Sequence, residues 1–457
     1  MFIDSGYIEN LLENAKANQD DGKIIEILKK SESFQTLSAD EVAALLACTN
    51  PEHNRRILEI AGRVKEHIYG NRIVMFAPIY VSDYCVNGCT YCNYNCDHKY
   101  ERRRLTTEEV KREVLVLEKM GHKRLALEAG EDEENCPIEY ILKCIETIYA
   151  AKAELGEIRR INVNIAATTT ENYKKLKNAN IGTYILFQET YHKPTYKAAH
   201  PSGPKSDFDY HLTAFDRAIQ AGVDDVGAGV LFGLYEPFFE VLGLLLHNEH
   251  LEKTYGVGFH TISVPRICKT DGAINTNYKH AVDYETFRRI VAILRLAMPF
   301  TGIILSTRES PEIRKELIHL GVSQISASSS PGVGAYSEEH DGAKQFEISD
   351  KRRLSDIVKW LIEENLVPSF CTACYRKGRT GGDFMNMAKS GQIKNVCHPN
   401  ALMTLCEYAK EYMDEDYKGR VYSFIGSEAG KIPNTKIRGL ALDGIERIKS
   451  GERDLYI

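Results

Sequence analysis

The chain has 457 residues, 43% of them hydrophobic, with a formal net charge of −6. That length can bury a large α/β core without disulfide staples. The mildly acidic balance, with tight basic runs only at 102-RRR-104 and 376-RKGR-379, argues against nucleic acid as a partner.

The N-terminus, MFIDSGYIEN, lacks the basic and apolar regions of a signal peptide, and the longest apolar run, near 241-VLGLLL-246, is too short to span a bilayer. No membrane association and a cytoplasmic location are therefore expected. Residues 7 to 68 read as helical, from the apolar spacing in 22-GKIIEILKKSE-32 and 54-NRRILEIAGRVKEHIYG-70. The pattern then changes to short β-rich runs, each followed by an amphipathic helix. The predicted strands are 73–78, 124–129, 161–166, 183–188, 225–231, 260–264, 302–306 and 323–327. Thr106 with Glu109 marks a capping box at the first intervening helix, and Gly121, Gly222 and Gly321 follow helix ends. Eight β-α alternations favour an α/β fold of the parallel (β/α)8 TIM-barrel type over an open three-layer sheet. The expected organisation is a helical segment over 1–70, a barrel over 71–350 and an extension over 351–457.

Twelve cysteines clustered at short spacing in a long chain suggest metal rather than disulfides. Cys48, Cys136, Cys144, Cys268 and Cys406 are scattered and read as small buried hydrophobes. Cys85, Cys89 and Cys92, in 85-CVNGCTYCNYNC-96, follow the first strand, where a barrel keeps its active-site loops. C-x3-C-x2-C is neither the zinc-finger pattern nor the ferredoxin run. Three thiolates on a [4Fe-4S] cluster with one open iron account for it, and Cys96 stays outside the set because a fourth thiolate would close the cluster. Near the other end, Cys371, Cys374 and Cys397 make C-x2-C-x22-C. A second iron-sulfur cluster fits this spacing, and zinc with His398 as a fourth ligand is the alternative.

Strand ends supply further candidates. Arg308, after the seventh strand, suits bidentate capture of an amino-acid carboxylate, and Ser326, at the end of the eighth, is placed to hydrogen-bond the same substrate.

The motif C-x3-C-x-aromatic-C, with Tyr91 before the last cysteine, resembles that of the radical S-adenosylmethionine (SAM) enzymes. The resemblance implies that SAM chelates the open iron and yields a 5′-deoxyadenosyl radical. In 127-LEAGED-132, Gly130 and Glu131 are similar to the family's GGE-type turn, which receives the SAM amino group. By the same resemblance Glu189 accepts the ribose hydroxyls and Arg217 pairs the SAM carboxylate.

With the terminal C-x2-C-x22-C added, the chain from about Arg72 to Cys397 resembles the radical SAM tyrosine lyases that mature [FeFe]-hydrogenase; thiazole-pathway tyrosine lyases are similar in the barrel and lack that tail. The resemblance implies cleavage of L-tyrosine at Cα–Cβ to p-cresol and dehydroglycine, then conversion of the fragment to carbon monoxide and cyanide at the second cluster. It also implies a fifth, labile iron there, a [5Fe-5S] arrangement with His260 as ligand and free cysteine as a further component. Partners implied are an electron donor such as ferredoxin or flavodoxin and hydrogenase-maturation proteins. Phe259, where the family has proline, and 326-SASSSPGVGAY-336 depart from its pattern. Two alternatives stay open: a lyase that releases dehydroglycine only, and a non-enzymatic iron-sulfur carrier.

Overall fold

Nine parallel strands carry the structure, a computed structural model that describes residues 2–267, 278–337 and 343–457. In chain order they are β1 (Arg72–Ser82), β2 (Arg124–Ala129), β3 (Arg160–Asn164), β4 (Thr183–Glu189), β5 (Asp225–Val230), β6 (Thr261–Ser263), β7 (Gly302–Leu305), β8 (Gln324–Ser326) and β9 (Val367–Ser369). The order runs β2 through β8 to β1, and β1 pairs again with β2, so the first eight strands close a parallel barrel wrapped by helices. The eight expected strands are all present, β6, β7 and β8 shorter than their apolar runs.

β9 is the strand that the sequence reading missed. It has three residues, one of them Pro368, and shows no alternating pattern. It forms because β1 overhangs β2: Arg72–Val74 pair with β9, whereas Ala77–Ser82 pair with β2. The long β1 therefore holds one short strand at its amino end and the barrel seam at its carboxyl end.

The N-terminal segment is four helices, Ser5–Ala17, Asp21–Glu32, Ala39–Ala47 and Pro51–Tyr69, and the last of them leads into β1. The capping box before helix Thr107–Lys119 is reciprocal: Thr106 Oγ1 accepts from the Glu109 amide at 3.3 Å, and Glu109 Oε2 accepts from the Thr106 amide at 2.7 Å. After the barrel come helices Leu354–Glu363, Gly381–Lys389, Ile393–Tyr412, Glu415–Gly430 and Thr435–Ser450.

Helix Ile393–Tyr412 is fastened to the bottom of the barrel by buried charge. Glu407 accepts from Lys123 Nζ at 2.9 Å, just before β2, and from the guanidinium of Arg159, just before β3. Burying one of these groups unpaired would be costly; together they fix the tail against the strand starts. Among the scattered cysteines Cys48, Cys144 and Cys406 are buried and Cys136 is half-buried; Cys268 lies outside the described residues. No helix among the described residues is long and apolar enough to cross a membrane.

Candidate active site and second cysteine centre

The two cysteine groups occupy opposite ends of the barrel. β9 ends where Ser369 pairs with Val74, and Cys371 follows two residues later, whereas Cys85 follows Ser82 at the far end of β1. From Val74 to Ser82 is eight residues, or roughly 26 Å of strand at about 3.3 Å per residue.

At the carboxyl mouth a cavity of about 230 Å³ is lined by Cys85, Cys89, Tyr91 and Cys92 on one side and by Arg308 and Ser326 on the other. Gly130, Glu131 and Glu189 line it as well, so nine of the predicted site residues converge there. Hydrogen-bond donors approach two of the sulfurs: Tyr94 N to Cys92 Sγ at 3.4 Å and Asn87 Nδ2 to Cys85 Sγ at 3.6 Å. Burial raises the Cys89 thiol, and raises the Cys92 thiol to about 11, so metal binding here must release protons. Three thiols facing a cavity, with N–H donors aimed at them, fit a cluster that leaves one iron open. Cys96 does not line the cavity; its amide donates to Asn87 O at 2.9 Å.

The cysteine loop has no regular secondary structure, and polar bonds hold it in place. The Arg102 guanidinium donates to the carbonyls of Asp83, Tyr94 and Asn95. The Val86 amide donates to Glu131 O at 2.9 Å, and Asn87 Nδ2 donates to Glu131 Oε2 at 2.6 Å. Glu131 thus anchors the loop through both its backbone and its side chain. Gly130 is required by space, since a Cβ there would meet Tyr84 O at 2.3 Å and Cys85 Cβ at 3.1 Å.

Glu189 ends β4 at a bulge with φ +67°, a left-handed conformation that a non-glycine residue adopts at a cost. Its Oε1 accepts from Lys205 Nζ at 2.8 Å. Lys205 also stands 6.0 Å from the centre of the Tyr91 ring, while Tyr91 Oη is 2.9 Å from His200 Nε2. Sequence reasoning missed Lys205, because a lysine in 201-PSGPKSD-207 reads as a solvated turn. The signal was the glycine pair: a Cβ on Gly88 would meet Ser202 Oγ at 2.4 Å, and Gly203, at φ +85°, packs on Asn87.

Arg217 is not brought to the cavity. Its guanidinium donates to Thr168 O, Thr213 Oγ1 and Tyr210 O and lies 3.8 Å from the Tyr210 ring centre. Those contacts satisfy it on the outer helices, and the SAM-carboxylate expectation has no support from its position. Arg308 is the contrary case: it stacks 4.0 Å over the Phe346 ring and, among the described residues, makes no ion pair. Ser326 Oγ accepts from the Thr307 amide at 3.1 Å and keeps its own proton available to the cavity.

At the amino end, Cys374 Sγ and Cys397 Sγ are 3.8 Å apart, and Cys371, at φ +48°, has its sulfur 3.9 Å from Arg160 Nη1. A hydrogen bond from Cys374, with the charge of Arg72 and Arg379, lowers the Cys397 thiol despite its burial. Among the described residues no three His, Cys, Asp or Glu side chains converge on a single-ion site. His398 turns to Glu428, with Nε2 3.4 Å from its carbonyl oxygen. Three thiols beside arginines, with His398 engaged by Glu428, suit a polynuclear group better than zinc with His398. His260, at the start of β6, is buried and held neutral, its pKa lowered to about 4 chiefly by burial. Its Nδ1 lies 3.5 Å from Asp225 Oδ1, and that oxygen accepts from the Gly381 amide at 2.8 Å.

A parallel barrel with such a thiol loop at its carboxyl mouth defines a radical SAM enzyme, and the model of the Radical SAM superfamily matches residues 79–245. That class implies a [4Fe-4S] cluster and SAM. The model of the Biotin and Thiamin Synthesis associated domain matches residues 263–367. The 2-iminoacetate synthase of Salmonella typhimurium is 28% identical over 348 residues, 76% of this chain and 90% of that protein. A crystal structure of HydG, a maturase of the [FeFe]-hydrogenase, superposes with a TM-score of 0.96 at 51% identity and covers 100% of both chains. HydG from Carboxydothermus hydrogenoformans gives 0.84 at 38%, covering 97% of this chain and 98% of that one. The chain belongs to the HydG family.

Proposed function

We propose that this chain is a radical SAM tyrosine lyase of [FeFe]-hydrogenase maturation, cleaving L-tyrosine to p-cresol and dehydroglycine. The observation that carries the reading is the pairing of two thiol triads at opposite ends of one barrel, with an amino-acid-sized cavity at the first. The names of the relatives, 2-iminoacetate synthase and HydG, support it.

When bound, the reduced cluster and SAM supply a 5′-deoxyadenosyl radical. The chain's own part is to hold and orient. Cys85, Cys89 and Cys92 are assigned as cluster ligands, with Tyr91, Gly130, Glu131 and Glu189 around SAM and Lys205 neutralising Glu189. Arg308 and Ser326 are assigned to the substrate carboxylate, which the stacked guanidinium meets as a fork. The apolar lining from Phe76, Ala126 and Ile304 receives the aromatic ring and excludes water.

Cys371, Cys374 and Cys397 are assigned to hold a second iron-sulfur group, which would supply iron sites for carbon monoxide and cyanide made from the fragment. His260 is assigned to its labile fifth iron, with free cysteine as a further component of that [5Fe-5S] centre. Arg124, Arg160 and Arg72 start strands on that side, and their positive charge favours anionic fragments. A ferredoxin or flavodoxin is the electron donor that fits the chemistry, and other maturation proteins are the acceptors.

Anaerobic reconstitution with iron, sulfide, SAM, tyrosine and dithionite tests this reading. Stoichiometric 5′-deoxyadenosine and p-cresol, followed by carbon monoxide and cyanide, are expected. p-Cresol without the diatomics would leave a lyase that releases dehydroglycine only; absence of both organic products would leave an iron-sulfur carrier.

A further inference from the structure

Three carboxyl groups face the cavity at the carboxyl mouth, and two of them are already engaged. Glu131 is held by Asn87, and Glu189 by Lys205. Glu128 is different. It lies in register with Tyr80 on β1 and Asn164 on β3, and all three line the cavity. Its single polar contact is a neutral amide, Asn164 Nδ2, at 2.6 Å from Oε2; among the described residues it makes no ion pair. Tyr80 offers it nothing, since that hydroxyl donates to Gln345 Oε1 at 2.8 Å.

A carboxyl left without a cation in a largely apolar cavity is costly unless a ligand completes it. An amino acid brings two charges. Arg308 offers the cation for its carboxylate, and the α-ammonium then needs an anion on the same cavity. Tyr80, paired with Glu128 across the strands, feels both charges: its phenol is raised first by burial and then by the charge of Glu128, while Arg308 pulls the other way. The geometry points to Glu128 as the group that receives the α-ammonium of the amino-acid substrate and takes one proton from it, a role that rests on the tyrosine reading above.

The step balances simply. One N–H bond of the ammonium breaks, one O–H bond forms on the Glu128 carboxylate, and no electron is transferred. The neutral amine that remains has the lone pair that an ammonium lacks, so removal of a hydrogen atom from nitrogen leaves a stabilised aminyl centre. Burial raises the Glu128 carboxyl to about 8, with Asn164 opposing. The α-ammonium of a free amino acid, beside its own carboxylate, is a weaker acid than a chain N-terminus, so the transfer to the ionised Glu128 runs mildly uphill and is drawn on by the step that follows. The other titratable groups facing the cavity are Tyr80, Tyr91, Tyr94, Glu131, Glu189, Lys205, His211 and Arg308, beside the thiols of the cysteine loop.

The test uses the full-length, anaerobically reconstituted enzyme and its Glu128→Gln and Glu128→Asp variants. Calorimetric binding of tyrosine is compared with that of 3-(4-hydroxyphenyl)propionate, which lacks the amino group, and with that of phenylalanine, which lacks the hydroxyl. E128Q should lose roughly tenfold or more of the preference for tyrosine over the deamino acid, the range of one charge-assisted hydrogen bond, and keep the preference over phenylalanine. Wild-type kcat/KM for p-cresol should rise with pH through about 8 as the carboxyl ionises. E128Q should lose that limb and about 10²-fold in kcat, while E128D keeps the limb at a reduced rate. An unchanged preference for the amino group overturns the assignment, as does loss of the phenylalanine discrimination instead, which would put Glu128 on the phenol. A wild-type enzyme that binds tyrosine through its amino group but forms no p-cresol would sink the lyase reading and leave the ammonium contact standing.

Discussion

Lys205 Nζ lies 2.8 Å from Glu189 Oε1 at the end of β4, and the pair closes one wall of the cavity at the carboxyl mouth. Both groups are largely buried, and the lysine is held in its charged form by the carboxylate despite the cost of burial. Removing one partner strands the other. Lys205→Met should lower stability by about 2 kcal/mol, from the unpaired carboxylate, and weaken SAM binding through loss of Glu189 orientation. Lys205→Met with Glu189→Gln should recover most of the stability and none of the SAM affinity. Thermal melts of the reconstituted protein and SAM titration by electron paramagnetic resonance read the two effects separately. A single variant as stable as the wild type would show that the pair is solvated.

Cys96 shares a twelve-residue stretch with the three cysteines assigned to the first cluster but bonds through its amide to Asn87 O and does not line the cavity. Cys96→Ala should therefore retain four irons per first cluster and the SAM-induced change in its paramagnetic signal. Cys89→Ala should lose both. A Cys96→Ala protein whose first cluster falls to three irons would make Cys96 a ligand and exclude SAM from that iron.

The parts of the site that were legible in the sequence are those whose meaning is local. C-x3-C-x2-C fixes three sulfurs within one loop, a capping box needs four residues, and short β-rich runs, each followed by an amphipathic helix, mark the eight barrel strands. What was not legible depends on register between distant segments. Glu128 sits inside 127-LEAGED-132, a run read for its glycine; only the pairing of β1, β2 and β3 shows its side chain in a row with Tyr80 and Asn164. Arg217 shows the complementary case: an arginine assigned to SAM through a family resemblance has its three acceptors on outer segments, which only the folded chain reveals. β9 had no periodic signal and exists because β1 overhangs its neighbour.

The buried Glu407 cluster predicts an acid-sensitive tail. Burial by itself would raise this carboxyl, but the hydrogen bonds and charge of Arg159 and Lys123 bring it from 4.5 down to about 2. A folded-state pKa below the unfolded value gives stability that is fully present above about pH 4.5 and is lost as pH falls toward 2. The contribution near neutrality is roughly 3 kcal/mol at 1.36 kcal/mol per pKa unit. Glu407→Gln should destabilise the protein by a similar amount at pH 7 and by much less at pH 3. Urea unfolding of the protein at the two pH values measures this; an equal loss at both would assign the effect to packing rather than to charge.

The separation of the two cysteine groups along β1 predicts that their chemistry can be cut apart. Cys397→Ala removes a sulfur that sits 3.8 Å from Cys374 at the amino end, and nothing at the carboxyl mouth depends on it. The variant should lose the second cluster signal, carbon monoxide and cyanide, and should keep p-cresol formation within about threefold of wild type. His260→Ala is narrower. The imidazole is buried, neutral and 3.5 Å from Asp225, with Phe384 packed 4.5 Å from its ring centre, so its loss leaves the three sulfurs in place. That variant should retain both cluster signals, lose one iron by metal analysis and lose the diatomic products. Asp225→Asn, which keeps the acceptor for the Gly381 amide but removes the charge beside Nδ1, should weaken retention of that iron by 10- to 100-fold, the usual effect of a group that orients a ligand histidine. If Cys397→Ala abolishes p-cresol as well, the two ends are not independent sites. If His260→Ala leaves iron content and diatomic yield unchanged, the labile iron belongs to another ligand.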